Sequence, residues 1–179
     1  TLATDPTSNI TISANENIGG GLKARVVLDT SLKANDPISG ADTKLGDRQS
    51  TIGLANSVGS IDLGRNLHSH FLAVTNNDAF GTLYGSIAGD VHNLRGLRFS
   101  NGAFVATTLG PVTATYDRSN NGAGVEDVTS ASLGANLGPV NAVVANYVNA
   151  SGTEKSTVIG GSTKLGGTQL FYSHSDNHS

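Results

Sequence analysis

The sequence predicts an all-β chain, an antiparallel up-and-down β-barrel of about ten strands, and three observations carry the prediction. Apolar and polar residues alternate over runs of about seven to thirteen residues, the period-2 pattern of a strand with two unlike faces. A glycine turn recurs between pairs of runs. The connections alternate between very short and long, as in a meander whose turns lie on one rim and whose loops lie on the other.

The runs fall at 8–17, 22–32, 48–56, 60–67, 97–109, 112–118, 128–137, 140–149, 155–165 and 168–175. NIGGGL at 17–22 joins the first pair, SVGSI at 57–61 the second and TLGPV at 108–112 the third. NLGPV at 136–140 and KLGGT at 164–168 join the last two pairs. Gly110, Gly138 and Gly166 are spaced by 28 residues, enough for two strands, one tight turn and one longer loop. The longer connections are 33–47, 68–96, 119–127 and 150–154, and the whole of 1–179 reads as a single barrel domain.

Composition separates this chain from an ordinary globule. Apolar residues make up 37% and aromatics 5%, with no Trp or Met, so there are few large side chains to fill a core. Gly is 23 of 179 without the every-third-residue period of collagen, which places glycines in turns and close approaches. In LKARVVLD, Leu22, Ala24, Val26 and Leu28 fall on one face and Lys23, Arg25, Val27 and Asp29 on the other. A soluble sheet buries the first face. A transmembrane barrel turns the first face to lipid and the second to a water-filled lumen, and needs no core of large side chains.

Several function classes are excluded. A net charge of −3 leaves no basic footprint for nucleic acid. The absence of Cys removes disulfides and thiolate metal sites. No apolar run reaches the 18 residues of a membrane helix, which leaves strands as the means of crossing. No nucleophile, base and acid arrangement suggests an enzyme, and nothing asks for a cofactor. IGGG at 18–21 lacks the lysine of a phosphate loop and reads as a hairpin turn. His68 and His70 could ligate a metal from a strand end, but no third ligand stands nearby, so they are read as two solvated loop histidines, as are His174 and His178.

Three further features stand out along the chain. Ile61 and Leu63 share a parity with Arg65, which requires a bulge at Gly64 or an arginine beyond the apolar belt. Tyr116, Tyr147 and Tyr172 lie toward the loop-side strand ends and are expected to form one thin interfacial belt. The connection at 68–96 is far longer than the usual limit of about 15 residues. It carries FLAV at 71–74 and AFGTLYGSIAG at 79–89, so it is expected to be packed.

ENIGGGLKARVVLDTS at 16–31 followed by GDRQSTIGLANSVGSIDLGRN at 46–66 resembles the general porins of Gram-negative outer membranes, in particular the Burkholderia and Neisseria type. The likeness is strong over 16–66 and extends through NLRGLRFSN at 93–101; beyond that only the hairpin rhythm continues. The resemblance implies a sixteen-stranded homotrimeric barrel in the outer membrane, in contact with lipid and lipopolysaccharide, for passive diffusion of small hydrophilic solutes and ions. It implies that 68–96 folds into the lumen as a constriction loop. It also implies that Arg25, Arg48, Arg65, Arg95 and Arg98 line the constriction opposite Asp78 and Asp90, with a mild preference for anions. Thr1 is no translation start, so the chain is expected to be a processed product or a segment of something longer. Two alternatives remain: a secreted adhesin-like β-solenoid, whose strands would stack in parallel, and a plugged structural barrel that conducts little.

Overall fold

A computed structural model describes residues 8–32, 44–82, 86, 97–120 and 127–178. The alternating runs form β1 (Asn9–Gly19), β2 (Leu22–Ser31), β3 (Gln49–Ala55), β4 (Gly59–Leu67) and β5 (Arg98–Leu109). They continue as β6 (Val112–Arg118), β7 (Val128–Leu137), β8 (Val140–Asn149), β9 (Lys155–Leu165) and β10 (Thr168–His178). A helix, α1 (Ser69–Asn76), stands between β4 and β5, inside a segment the sequence reads as loop. The strands make one sheet in the order β1 to β10, each antiparallel to its sequence neighbour, with β1 and β10 at its edges. The parallel stacking of a solenoid is therefore not what the described strands form.

Local chemistry sets the turns. Gly110 (φ +58°) and Gly138 (φ +76°) are each followed by a proline, whose ring holds φ negative. That sign pattern matches a type II′ hairpin turn, whose twist suits the flanking strands. The turn between β3 and β4 works differently from the glycine turn expected there. Asn56 Oδ1 accepts the backbone N–H groups of Val58 and Gly59, both at 2.9 Å, and Gly59 opens the strand instead of closing the turn.

Alternation divides the sheet into two unlike faces. One carries an exposed apolar band that includes Ile12, Val26, Ile52, Leu63, Leu133, Ile159 and Leu170. The other is polar, and one row of directly opposed residues crosses every strand on it. The row begins with Asn15, Arg25 and Gly53 and passes through Asp62, Phe104 and Asp117. It ends with Ser130, Tyr147, Ser156 and Asn177. Tyr147 thus lies buried on the polar face, 5% exposed, while Tyr116 (46%) and Tyr172 (66%) are exposed on the apolar one. The expected tyrosine belt loses its middle member because Tyr147 packs against two histidines described below.

The irregularity at Arg65 is a bulge. Gly64 pairs with Gly102 and Asn66 with Phe99, so Ser100 and Asn101 together oppose Arg65. The extra residue belongs to β5, where Asn101 has φ +51°, and Gly64 across from it has φ +127°.

Candidate functional site

Two constellations occupy the polar face and its loop-side rim. The first is α1 and its dock. The helix packs on β6, β7, β8 and β9, with Ala73 and Val74 buried and Val74 against Val158. Gly160 admits the end of the helix: a Cβ there would stand 3.1 Å from the Asn77 Cβ. The Asn77 amide closes the last turn by donating to the Ala73 carbonyl at 2.9 Å. Between α1 and the turn-side wall lies a cleft of about 310 Å³, bordered by Leu72, Asn76, Thr113, Ser132 and Asn141.

The segment that leads into α1 corrects the reading of His68 and His70 as solvated. Each is only 3% exposed. His68 Nδ1 lies 2.6 Å from Asp117 Oδ2, and an ionised carboxylate only accepts, so His68 donates from Nδ1. His70 Nε2 lies 2.9 Å from Ser156 Oγ. The Ser156 hydroxyl spends its proton on Asn177 Oδ1 at 2.6 Å, so His70 donates from Nε2. Phe99 and Tyr147 enclose the His68 ring at centroid distances of 5.2 and 5.7 Å. Among the described residues no group of three or more His, Cys, Asp and Glu is arranged to hold a metal.

The second constellation is charged and lies at the β2–β5 end of the sheet. Arg25 Nε stands 2.8 Å from Asp62 Oδ1 across the gap left by Gly53, an ion pair by distance whose N–H is not aimed for a hydrogen bond. Arg48 Nε donates to Asp29 Oδ2 at 2.9 Å, and Asp29 also accepts from Thr11 on β1. Arg65 Nε donates to the Asp47 carbonyl and Nη1 to Ser100 Oγ, both at 2.6 Å. Arg98, at the start of β5, has a buried Nε without a hydrogen bond. Arg48 and Arg65 act on it as like charges, and Asp29 and Asp47 as opposite ones. A cleft of about 380 Å³ opens beside this cluster, lined by Lys44, Gly46, Asp47, Arg65 and Ser100.

Asp47 ties the cluster to the rim. Burial raises its carboxyl pKa, but the Ser31 backbone N–H at 2.8 Å, the Ser31 hydroxyl and the Arg48 charge outweigh that and hold it below the ordinary carboxylate value.

The structure brings Arg48, Arg65 and Arg98 into one group and sets Arg25 apart with Asp62. Asp78 follows α1, where its Oδ2 accepts the Thr82 N–H at 2.6 Å. Arg95 and Asp90 lie outside the described residues. Sequence reading missed Asp62, Asp117, Ser130 and Ser156. Its one available signal was parity: each falls on the polar-face beat of its strand.

A family model described as Gram-negative porin matches residues 1–179. Among solved structures, the anion-selective porin from Comamonas acidovorans is similar at a TM-score of 0.54 and 20% identity, over 97% of this chain and 70% of that one. A structure described as "Asymmetric conductivity of engineered proteins" is similar at a TM-score of 0.69 and 13% identity, over 95% of this chain and 64% of that one. At these identities the likeness is one of fold. No curated protein matches the chain by sequence. Family match and barrel-like sheet together make this chain a member of the Gram-negative porin family, a non-enzymatic, porin-like channel protein of the outer membrane for passive passage of solutes and ions.

Proposed function

We propose that the polar face lines a water-filled lumen within a sixteen-stranded, homotrimeric barrel of the Burkholderia and Neisseria type, and that the channel passes small hydrophilic solutes with a mild preference for anions. The observation that carries this reading is the contrast between the two faces of one antiparallel sheet. An apolar band that includes Ile12, Ile52, Leu63 and Ile159 suits lipid. The opposite face holds Arg25, Asp62, Asp117 and Ser130, which need water or one another. Lipid and lipopolysaccharide are the surroundings this geometry fits.

In this reading the segment 68–96 is the constriction loop, entered through α1. Arg25, Arg48, Arg65 and Arg98, joined by Arg95, face the pore opposite Asp78 and Asp90. Positive charge gathered on one wall and negative charge on the loop create a transverse field that raises local anion concentration and orients dipolar solutes. The grouping of Arg48, Arg65 and Arg98 supports the sign of that preference, because these three arginines outnumber the two carboxylates beside them, Asp29 and Asp47.

Single-channel recording in a planar bilayer, with unequal salt on the two sides, tests the proposal. The expected result is discrete steps grouped in threes, with a zero-current potential on the anion-selective side. Silence from folded, inserted protein would sink the diffusion-channel reading and leave the plugged barrel.

A further inference from the structure

We propose that Asp117 is a positioning residue that makes the segment Ser69–Asn76 helical and holds it on the channel wall, so that the cross-section near α1 depends on one carboxylate of β6. The inference rests on the channel reading for its consequence, but not for its geometry.

A helix of eight residues is too short to persist alone in water. Its own sequence does little to start it. His68 at the N-cap makes no side-chain capping bond, and no acidic residue stands in the first turn. The N–H groups that every helix leaves unpaired at its beginning are met from the wall instead. Asp117 Oδ1 accepts the Ser69 N–H at 2.6 Å, and Ser130 Oγ accepts the His70 N–H at 2.7 Å. These partners lie 48 and 60 residues further along the chain. The second Asp117 oxygen takes the His68 Nδ1 proton, so one carboxylate caps the helix, faces the positive end of its dipole and clamps the residue before it.

Asp117 is wholly buried and its two oxygens are both engaged with the entry to α1. Its row neighbours Phe104 and Ser130 offer no charge to balance it. Without α1 the carboxylate would face the lumen unpaired. Helix and wall therefore complete each other: the dock stabilises the helix, and the helix satisfies the dock.

The test uses a reporter thiol, because the chain has no cysteine of its own. Ala73→Cys places the thiol on the buried side of α1, and Val27→Cys places a second on the polar face of β2, away from the dock. Each is labelled in folded, membrane-inserted protein with a water-soluble maleimide. Asp117→Asn keeps the shape but removes the charge and one acceptor, and is expected to speed labelling at position 73 by about tenfold or more, with position 27 unchanged. Ser130→Ala, which removes one cap and leaves the carboxylate, is expected to speed it severalfold. Asn15→Ala alters the same polar row on β1, outside the β6–β9 dock of α1, and is expected to have no effect.

Bilayer recordings of the same proteins supply the functional arm. Steady open levels in the parent protein are expected to give way to fluctuating ones in Asp117→Asn. Equal acceleration at positions 73 and 27 would reduce Asp117 to a general stabiliser and overturn the proposal. So would unchanged labelling at 73 in Asp117→Asn or, if that variant does not fold, in Ser130→Ala. A parent protein that labels as expected but never conducts would refute the channel reading while leaving the dock intact.

Discussion

Arg25 and Asp62 meet across Gly53, their side chains bridging from β2 to β4 over the strand between them with Nε and Oδ1 2.8 Å apart. The bridge needs an empty site in the middle. A Cβ on Gly53 would run into Asp62 Oδ1 and the Ile61 carbonyl oxygen. Gly53→Val is accordingly expected to destabilise the folded protein by about 1–3 kcal/mol, the cost of overpacking a close-set site. Denaturant titration in detergent measures it, and a loss well under 1 kcal/mol would mean that the pair reforms around the new side chain.

Arg65 holds its place through the Asp47 carbonyl and the Ser100 hydroxyl, neither of which carries a countercharge. Arg65→Glu therefore replaces a positive charge by a negative one beside Arg98. The zero-current potential under a salt gradient is expected to move toward cation selectivity. The shift should shrink in about 1 M salt, where the screening length falls to about 3 Å. A potential unchanged at low salt would remove Arg65 from the permeation path.

Asp47 gives the rim an acid sensitivity of known sign. Its folded pKa is depressed, because hydrogen bonds from Ser31 and the Arg48 charge outweigh the effect of burial. Its contribution to stability is complete above the unfolded value of about 3.9 and is lost as pH falls through the lower folded value. Asp47→Asn should differ in stability from the parent at neutral pH, and the difference should vanish in acid. A difference that grows on acidification contradicts this assignment.

Gly160 sets the distance between α1 and β9. A Cβ there would lie 3.1 Å from Asn77 Cβ and 3.3 Å from Val143 Cγ1, so alanine requires a shift of a few tenths of an ångström and valine a larger one. Gly160→Val is expected to cost about 1–3 kcal/mol and Gly160→Ala less. Both should loosen the Asn77 amide bond to Ala73. Amide hydrogen exchange over 69–77 would register the change, and undiminished protection in Gly160→Val would show that the wall yields instead.

How far the chain could be read in advance varied with the range of the interactions concerned. Ten alternating runs correspond to the ten strands, with ends displaced by three residues or fewer. Gly110 with Pro111 and Gly138 with Pro139 mark their turns because the φ requirement acts on the turn residues themselves. The bulge beside Arg65 was legible as a parity conflict, although which strand carries the extra residue was not. The arginines stand out in the sequence as single charges, but their partners do not: Arg25 answers to Asp62, 37 positions away, and Arg48 to Asp29.

The sequence by itself determined what depends on near neighbours: strand lengths, the two unlike faces, the hairpin order and the rim on which each connection lies. Alternation has a period of two and a hairpin turn spans a few residues, so both are written within any short window. Only the tertiary structure decided that 69–76 is a helix, that His68 and His70 are buried, and that Tyr147 turns away from the tyrosine belt. These share one physical cause. The groups that cap α1, accept the histidine protons and enclose their rings sit on β5, β6, β7, β8 and β9, and they meet the segment only after the sheet has brought those strands side by side.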